Sequence, residues 1–224
     1  MNKLLSTLIL SGAIGLGFAA SASAATITYE SETADPKLHL VVDDAVSPGK
    51  FRFSLSTTFG EADYLGFGFN FAQSAGDPSI LMSEISLFSA TRKDGVSITP
   101  TLELFGDNTT SQTKCGAGCN FEGGGSASTF DYILRIGSNG GGDGGSNYVK
   151  TVVFDIAATG TLADNIFSQF AARAQATTGA STSIKADLIE VEDDPPPAVP
   201  LPAGLPLLAS GVIALGAIRR RRAK

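Results

Sequence analysis

The chain has no tryptophan, one histidine, two cysteines and two methionines in 224 residues, and each shortage narrows its chemistry. A Ser-His-Asp or Cys-His site would have to run through His39, which sits in an apolar alternation with no motif around it. Zinc wants four ligands, and His39 is the only histidine. Without tryptophan, any sugar-stacking role would fall to Tyr29, Tyr64, Tyr132 and Tyr148. A glycosidase needs two carboxylates several ångströms apart. Asp43 and Asp44 are adjacent and would face opposite sides of one strand, so they read as strand-end or turn residues. The composition therefore predicts a protein that is not an enzyme.

Cations are scarce too, and unevenly placed. Lys3, Arg219, Arg220, Arg221, Arg222 and Lys224 lie outside residues 25–200, whereas all 22 acids lie inside. That body holds ten cations against 22 acids, a net charge of −12. Such a surface repels phosphate backbones and excludes nucleic acid as an expected partner.

The ends of the chain read as addresses. Lys3 supplies a positive n-region, residues 4–20 are uncharged and mostly apolar, and Ala22 and Ala24 are the small residues that a signal peptidase reads. Cleavage between Ala24 and Ala25 is expected, which makes residues 1–24 a signal peptide for the Sec machinery. A retained N-terminal membrane helix is the alternative, weakened by Gly12, Gly15 and Gly17. At the other end, residues 201–218 carry no charge and would span roughly 27 Å as a helix, against about 30 Å of bilayer hydrocarbon. Prolines 200, 202 and 206 fall at or before its first turn, where a missing N–H costs little. Arg219, Arg220, Arg221 and Arg222 would hold that end on the cytoplasmic side.

A proline-bearing motif, an apolar span and a terminal arginine cluster together resemble the PEP-CTERM class of bacterial sorting signals. Val199, Pro200, Leu201, Pro202 and Ala203 spell its VPLPA variant in full. The resemblance implies an exported protein of a Gram-negative bacterium. Its inner-membrane intermediate would be processed near that motif by an exosortase and delivered to the cell surface or the extracellular polysaccharide matrix. An ordinary C-terminal anchor is the alternative. The body is also similar to the mature part of many PEP-CTERM proteins, on four stretches: Val41, Val42, Asp43 and Asp44; the phenylalanine strand that follows, at 51–55; residues 65–71; and Phe170, Ala171, Ala172 and Arg173. Those relatives more often carry histidine where Arg173 stands.

Between the addresses, residues 25–191 read as one domain, followed by an acidic and proline-rich spacer at 192–198 and the sorting segment at 199–224. Short apolar alternations broken by Gly, Asn, Asp and Pro predict about ten strands, centred on 27–29, 39–42, 51–55, 64–71, 80–88, 96–105, 130–136, 148–156, 167–176 and 184–191. The fold class is all-β, an antiparallel β-sandwich of jelly-roll-like form with two packed sheets. A long loop is expected at 43–49. Residues 167–176 also fit a helical stripe, and 162–167 could form a helical turn capped by Thr161. In the run 65–71, Leu65, Phe67, Phe69 and Phe71 alternate with Gly66, Gly68 and Asn70. The first set reads as core, and the glycines as room for another backbone or a ligand.

Cys115 and Cys119, separated by Gly-Ala-Gly, are expected to form a disulfide in an oxidising compartment, with metal or redox use as the alternative. The glycine-rich stretch 137–147 lacks the lysine of a phosphate loop, and no cofactor is expected. Calcium is the one ion that this acidic β-domain leaves open, at Asp143, the loop's only carboxylate. The function read from the sequence is a non-catalytic envelope or matrix protein with exosortase, the Sec machinery and the membrane as partners. The alternative is a carbohydrate-binding surface module on exopolysaccharide.

Overall fold

Strict alternation of buried and half-buried residues along Leu38, Leu40 and Val42, and again along Phe51, Phe53 and Leu55, gives two strands one apolar face each. The computed structural model describes residues 25–72, 79–123, 129–137, 146–179 and 182–191. They form ten strands: β1 (Thr26–Ser31), β2 (Lys37–Ser47), β3 (Lys50–Phe59), β4 (Asp63–Phe71), β5 (Ile85–Thr91), β6 (Leu102–Gly106), β7 (Tyr132–Ile136), β8 (Thr151–Ala157), β9 (Phe167–Gln175) and β10 (Ser183–Glu190). Among the described residues the helical pieces are two 3-10 turns, Met82–Glu84 and Leu162–Asp164. None is long and apolar enough to cross a membrane. The span expected at 201–218 and the signal peptide lie outside the described residues.

All ten strands are antiparallel to their neighbours in one sheet, ordered β5-β8-β3-β2-β1-β10-β9-β4-β7-β6. The expected two sheets are thus one hydrogen-bonded surface, and its core contacts show how it curls. Five steps separate β3 from β4, which in a flat sheet would be roughly 24 Å. Yet the Phe53 ring on β3 lies 5.9 Å from that of Phe67 on β4 and 5.1 Å from that of Phe167 on β9. The sheet therefore folds across itself, with β1 and β10 in the bend and the half β5-β8-β3-β2 facing the half β9-β4-β7-β6. β5 and β6 do not pair with each other, so the form is nearly, but not fully, that of a barrel. The chain crosses between the halves five times, from β3 to β4, β4 to β5, β5 to β6, β7 to β8 and β8 to β9.

Phenylalanine fills the space between the halves. Phe53 stacks on Phe154 at 5.3 Å and meets Phe167 and Phe170 edge-on, and Phe67 stacks on Phe170 at 5.7 Å. Edge-on and offset pairs of this kind add to the burial of each ring.

Three local expectations are refined. The 43–49 loop is mostly strand: Asp43 accepts the Ala45 N–H at 2.7 Å, a bulge takes up the extra residues, and only Pro48 and Gly49 (φ +71°) turn the chain. Residues 167–175 are strand β9, not helix, because Phe167, Phe170, Ala172 and Ala174 face the core and tertiary packing overrides alanine's propensity. Leu65 leaves the expected core face. A register shift between Tyr64 and Gly66 brings Tyr64 and Phe67 inside and turns Leu65 to the outer surface of β4.

Candidate functional site

Strand direction sorts the loops into two ends. β1 enters and β10 leaves at the same end, since Tyr29 pairs with Glu190 and the Val191 N–H donates to the Thr28 carbonyl at 2.9 Å. At this proximal end Ala25 opens the described chain. Its N–H donates to Asp44 Oδ1 at 2.7 Å and its carbonyl accepts the Asp44 N–H at 3.2 Å, while Asp44 Oδ2 accepts the Leu162 N–H at 2.9 Å. Asp43 and Asp44 therefore lie inside β2, at its bulge, and not in the turn or at the strand end expected for them. Ala24, the motif Val199, Pro200, Leu201, Pro202 and Ala203, and Arg219, Arg220, Arg221 and Arg222 lie outside the described residues.

At the opposite, distal end lie the turns β1–β2, β3–β4, β5–β6, β7–β8 and β9–β10. Asp63 is fully buried there and accepts the Val149 N–H at 2.7 Å and Gln175 Nε2 at 2.9 Å. It ties the segment leading into β8 to β4 and β9. Burial pushes its carboxyl above the usual range, partly offset by those two hydrogen bonds. Beside it, Tyr64 donates to the Ser56 carbonyl, and burial pushes its phenol well up. A shallow depression of about 160 Å³ opens at this end, lined by Ile98, Thr99, Pro100, Thr101, Gly137, Ser146 and Asn147. Among the described residues its lining offers neutral hydroxyl, amide and backbone groups and no titratable side chain. It is small beside the roughly 300–1,000 Å³ of ordinary ligand pockets.

The outer face of β4, β7 and β9 is covered by the chain's own loop between β6 and β7. Cys115 and Cys119 are disulfide-bonded with Cα atoms 5.0 Å apart, and they pack with Leu65, Phe121, Phe130, Ile133 and Ala171 into a second apolar cluster. A Cβ on Gly66 would stand 2.9 Å from Cys119 Sγ, and one on Gly68 would stand 2.7 Å from the Phe130 ring. The room that these glycines leave is filled by the disulfide and by Phe130. Arg135 and Arg173, which flank Gly66 in register, secure the neighbouring backbone. Arg135 donates to the Cys115 and Gly137 carbonyls, each at 3.3 Å, and Arg173 donates to the Ala174 and Ile184 carbonyls and to Ser183. Lys185 reaches the Glu122 carbonyl. Sequence reasoning did not see this second core. Its signal was present in Phe121 and Phe130, two large apolar residues flanking an otherwise polar, glycine-rich loop.

The remaining candidates are dispersed. His39 lies in β2 between Glu30 of β1 and Ser56 of β3. Asp143 is outside the described residues, and among the described residues no group of three or more His, Cys, Asp or Glu could hold a metal ion. On the outer face of the other half, Arg52 is held by both oxygens of Asp155 at 2.8 and 3.0 Å and lies 3.7 Å over the exposed Phe88 ring. That hydrogen bond to Asp155 is the main cause that raises the guanidinium's pKa. Compared with known proteins, the chain matches no family model, no curated protein and no solved structure.

Proposed function

We propose that the chain is a non-catalytic protein exported to the cell surface or extracellular matrix. Its C-terminal segment is the substrate of an exosortase-type sorting enzyme, which acts at Val199, Pro200, Leu201, Pro202 and Ala203. The observation that carries this reading is the pairing of the first and last strands, which brings chain entry and chain exit to one end of the domain. Until that cut, a membrane-held segment at 201–218 would tether the domain at that end, opposite the distal loops. The folded sheet is a jelly-roll-like β-sandwich. The orders β5-β8-β3 and β6-β7-β4 mirror each other across the core, and the chain alternates between them as a jelly roll winds. Changing Pro200 and Pro202 to alanine is the test. Sorting at this motif requires the variant to accumulate in the inner membrane at full length, whereas unaltered delivery to the surface refutes it.

A second reading has its own support. The distal depression presents Thr99, Thr101, Ser146 and Asn147, neutral hydrogen-bonding groups suited to sugar hydroxyls, at the end facing outward. In this reading the domain binds exopolysaccharide. A glycan array probed with the intact exported protein separates the two: selective binding lost on Thr99→Val supports it, and no binding to any glycan rejects it.

A further inference from the structure

We propose that Asp44 is a receptor for the terminal ammonium group created when the chain is cut between Ala24 and Ala25, so that processing completes the fold. The inference rests on the export reading, but its physical basis is separate. Ala25 is clasped from two sides by one residue, its N–H on Asp44 Oδ1 at 2.7 Å and its carbonyl on the Asp44 N–H at 3.2 Å. The second carboxylate oxygen is already fixed by the Leu162 N–H at 2.9 Å. The carboxylate is thus aimed at the nitrogen of Ala25 and cannot rotate away without releasing the 3-10 turn Leu162–Asp164.

Hydrolysis of the Ala24–Ala25 bond consumes one water, leaves a carboxylate on Ala24 and gives Ala25 an amine that takes up a proton near neutral pH. A neutral amide donor 2.7 Å from a carboxylate becomes a positively charged one at the same place. Hydrogen bonds between two charged groups are roughly twice as strong as neutral ones. The half-buried setting of Ala25 and Asp44 screens such a pair less than open solvent would. At the same end lie Asp43 on β2, Asp164 in the 3-10 turn and Glu190 on β10, and the cations there are Arg52, opposite Asp43 in register, and Lys50 at the start of β3. The body of net charge −12 gains its compensating cation where the strands begin.

The experiment compares three chains running to Lys224 in the same detergent. One starts at a free Ala25, one has the Ala25 amine acetylated, and one retains Ala24. The chain with free Ala25 should melt highest. The other two should melt about 2–4 °C lower, the shift that one partly buried ion pair makes in a domain of this size. In Asp44→Asn the difference made by acetylation should vanish. Equal melting of the three chains overturns the proposal, and so does an acetylation effect that persists in Asp44→Asn. N-terminal sequencing of the natively exported protein tests the cut itself. A start elsewhere overturns the processing claim even if Asp44 binds the ammonium of the Ala25 chain.

Discussion

Replacing Gly68 with alanine should destabilise the domain, although alanine is ordinarily the better strand residue. The added methyl carbon would stand 2.7 Å from Cδ2 and Cγ of Phe130 and 2.9 Å from Cε2. All are ring atoms of a side chain that is 1% exposed and closed in by Phe121 at 5.0 Å. Phe130 cannot yield without disturbing the disulfide loop, so the overpacking cost is about 1–3 kcal/mol. Removing glycine's backbone freedom offsets roughly 0.5–1 kcal/mol of this. The net loss is about 1–2 kcal/mol, which lowers the melting temperature of a domain this size by roughly 3–6 °C. Urea unfolding followed by circular dichroism measures it, in a double-mutant cycle with Phe130→Ala. Phe130→Ala alone should cost about 3–5 kcal/mol. In that background Gly68→Ala should become neutral or stabilising, and Phe130→Leu serves if the alanine variant is too unstable. A Gly68→Ala cost that is absent, or equal in both backgrounds, would refute the idea that β4 uses glycine to seat the loop.

Other consequences concern the two cores and the buried carboxylate. Phe53→Ala removes the ring that touches both halves of the sheet and should cost about 3–5 kcal/mol in urea unfolding. Joint replacement of Cys115 and Cys119 by alanine should cost about 1–3 kcal/mol, because so small a ring closes little loop entropy while both residues are buried in the second core. Asp63 has a folded pKa raised by burial, so its stabilising contribution is present below the ordinary carboxylate pKa and is lost as pH rises through the raised value. Asp63→Asn, with Gln175 turning its amide to suit, should therefore gain stability relative to the parent between pH 4 and pH 8. A difference between the two proteins that is constant with pH would contradict this.

The strands were legible because each carries its own period-2 signal: Leu38, Leu40 and Val42 announce an inward face without any knowledge of neighbours. The turn after Thr161 was equally local, though it spans only Leu162–Asp164 and not 162–167, and Asp164 Oδ2 accepts the Thr161 N–H at 3.1 Å and its hydroxyl at 2.8 Å. What escaped was set by distant partners. Leu65 changes face through a bulge against β9, which no pattern within β4 encodes. Residues 167–176 read as strand with a helical alternative left open by their alanines, and pairing with β4 and β10 decides for the strand. Gly66 and Gly68 signalled a close approach, but their occupant came from some fifty residues downstream. At the proximal end, the sequence offered a cleavage site at Ala25 and a turn residue at Asp44 as separate facts, and the antiparallel pairing of β1 with β2 joined them.

In the proposed function both terminal segments are removed in sorting, leaving a β-domain that starts and ends on neighbouring strands. Intact-mass and peptide mass spectrometry of the protein from native envelope, matrix and culture medium measures this directly. The expected mature chain begins at Ala25 and ends within or close to the motif at residues 199–203. Retention of Arg219, Arg220, Arg221 and Arg222 in the surface-delivered protein of a host with a working exosortase would contradict it.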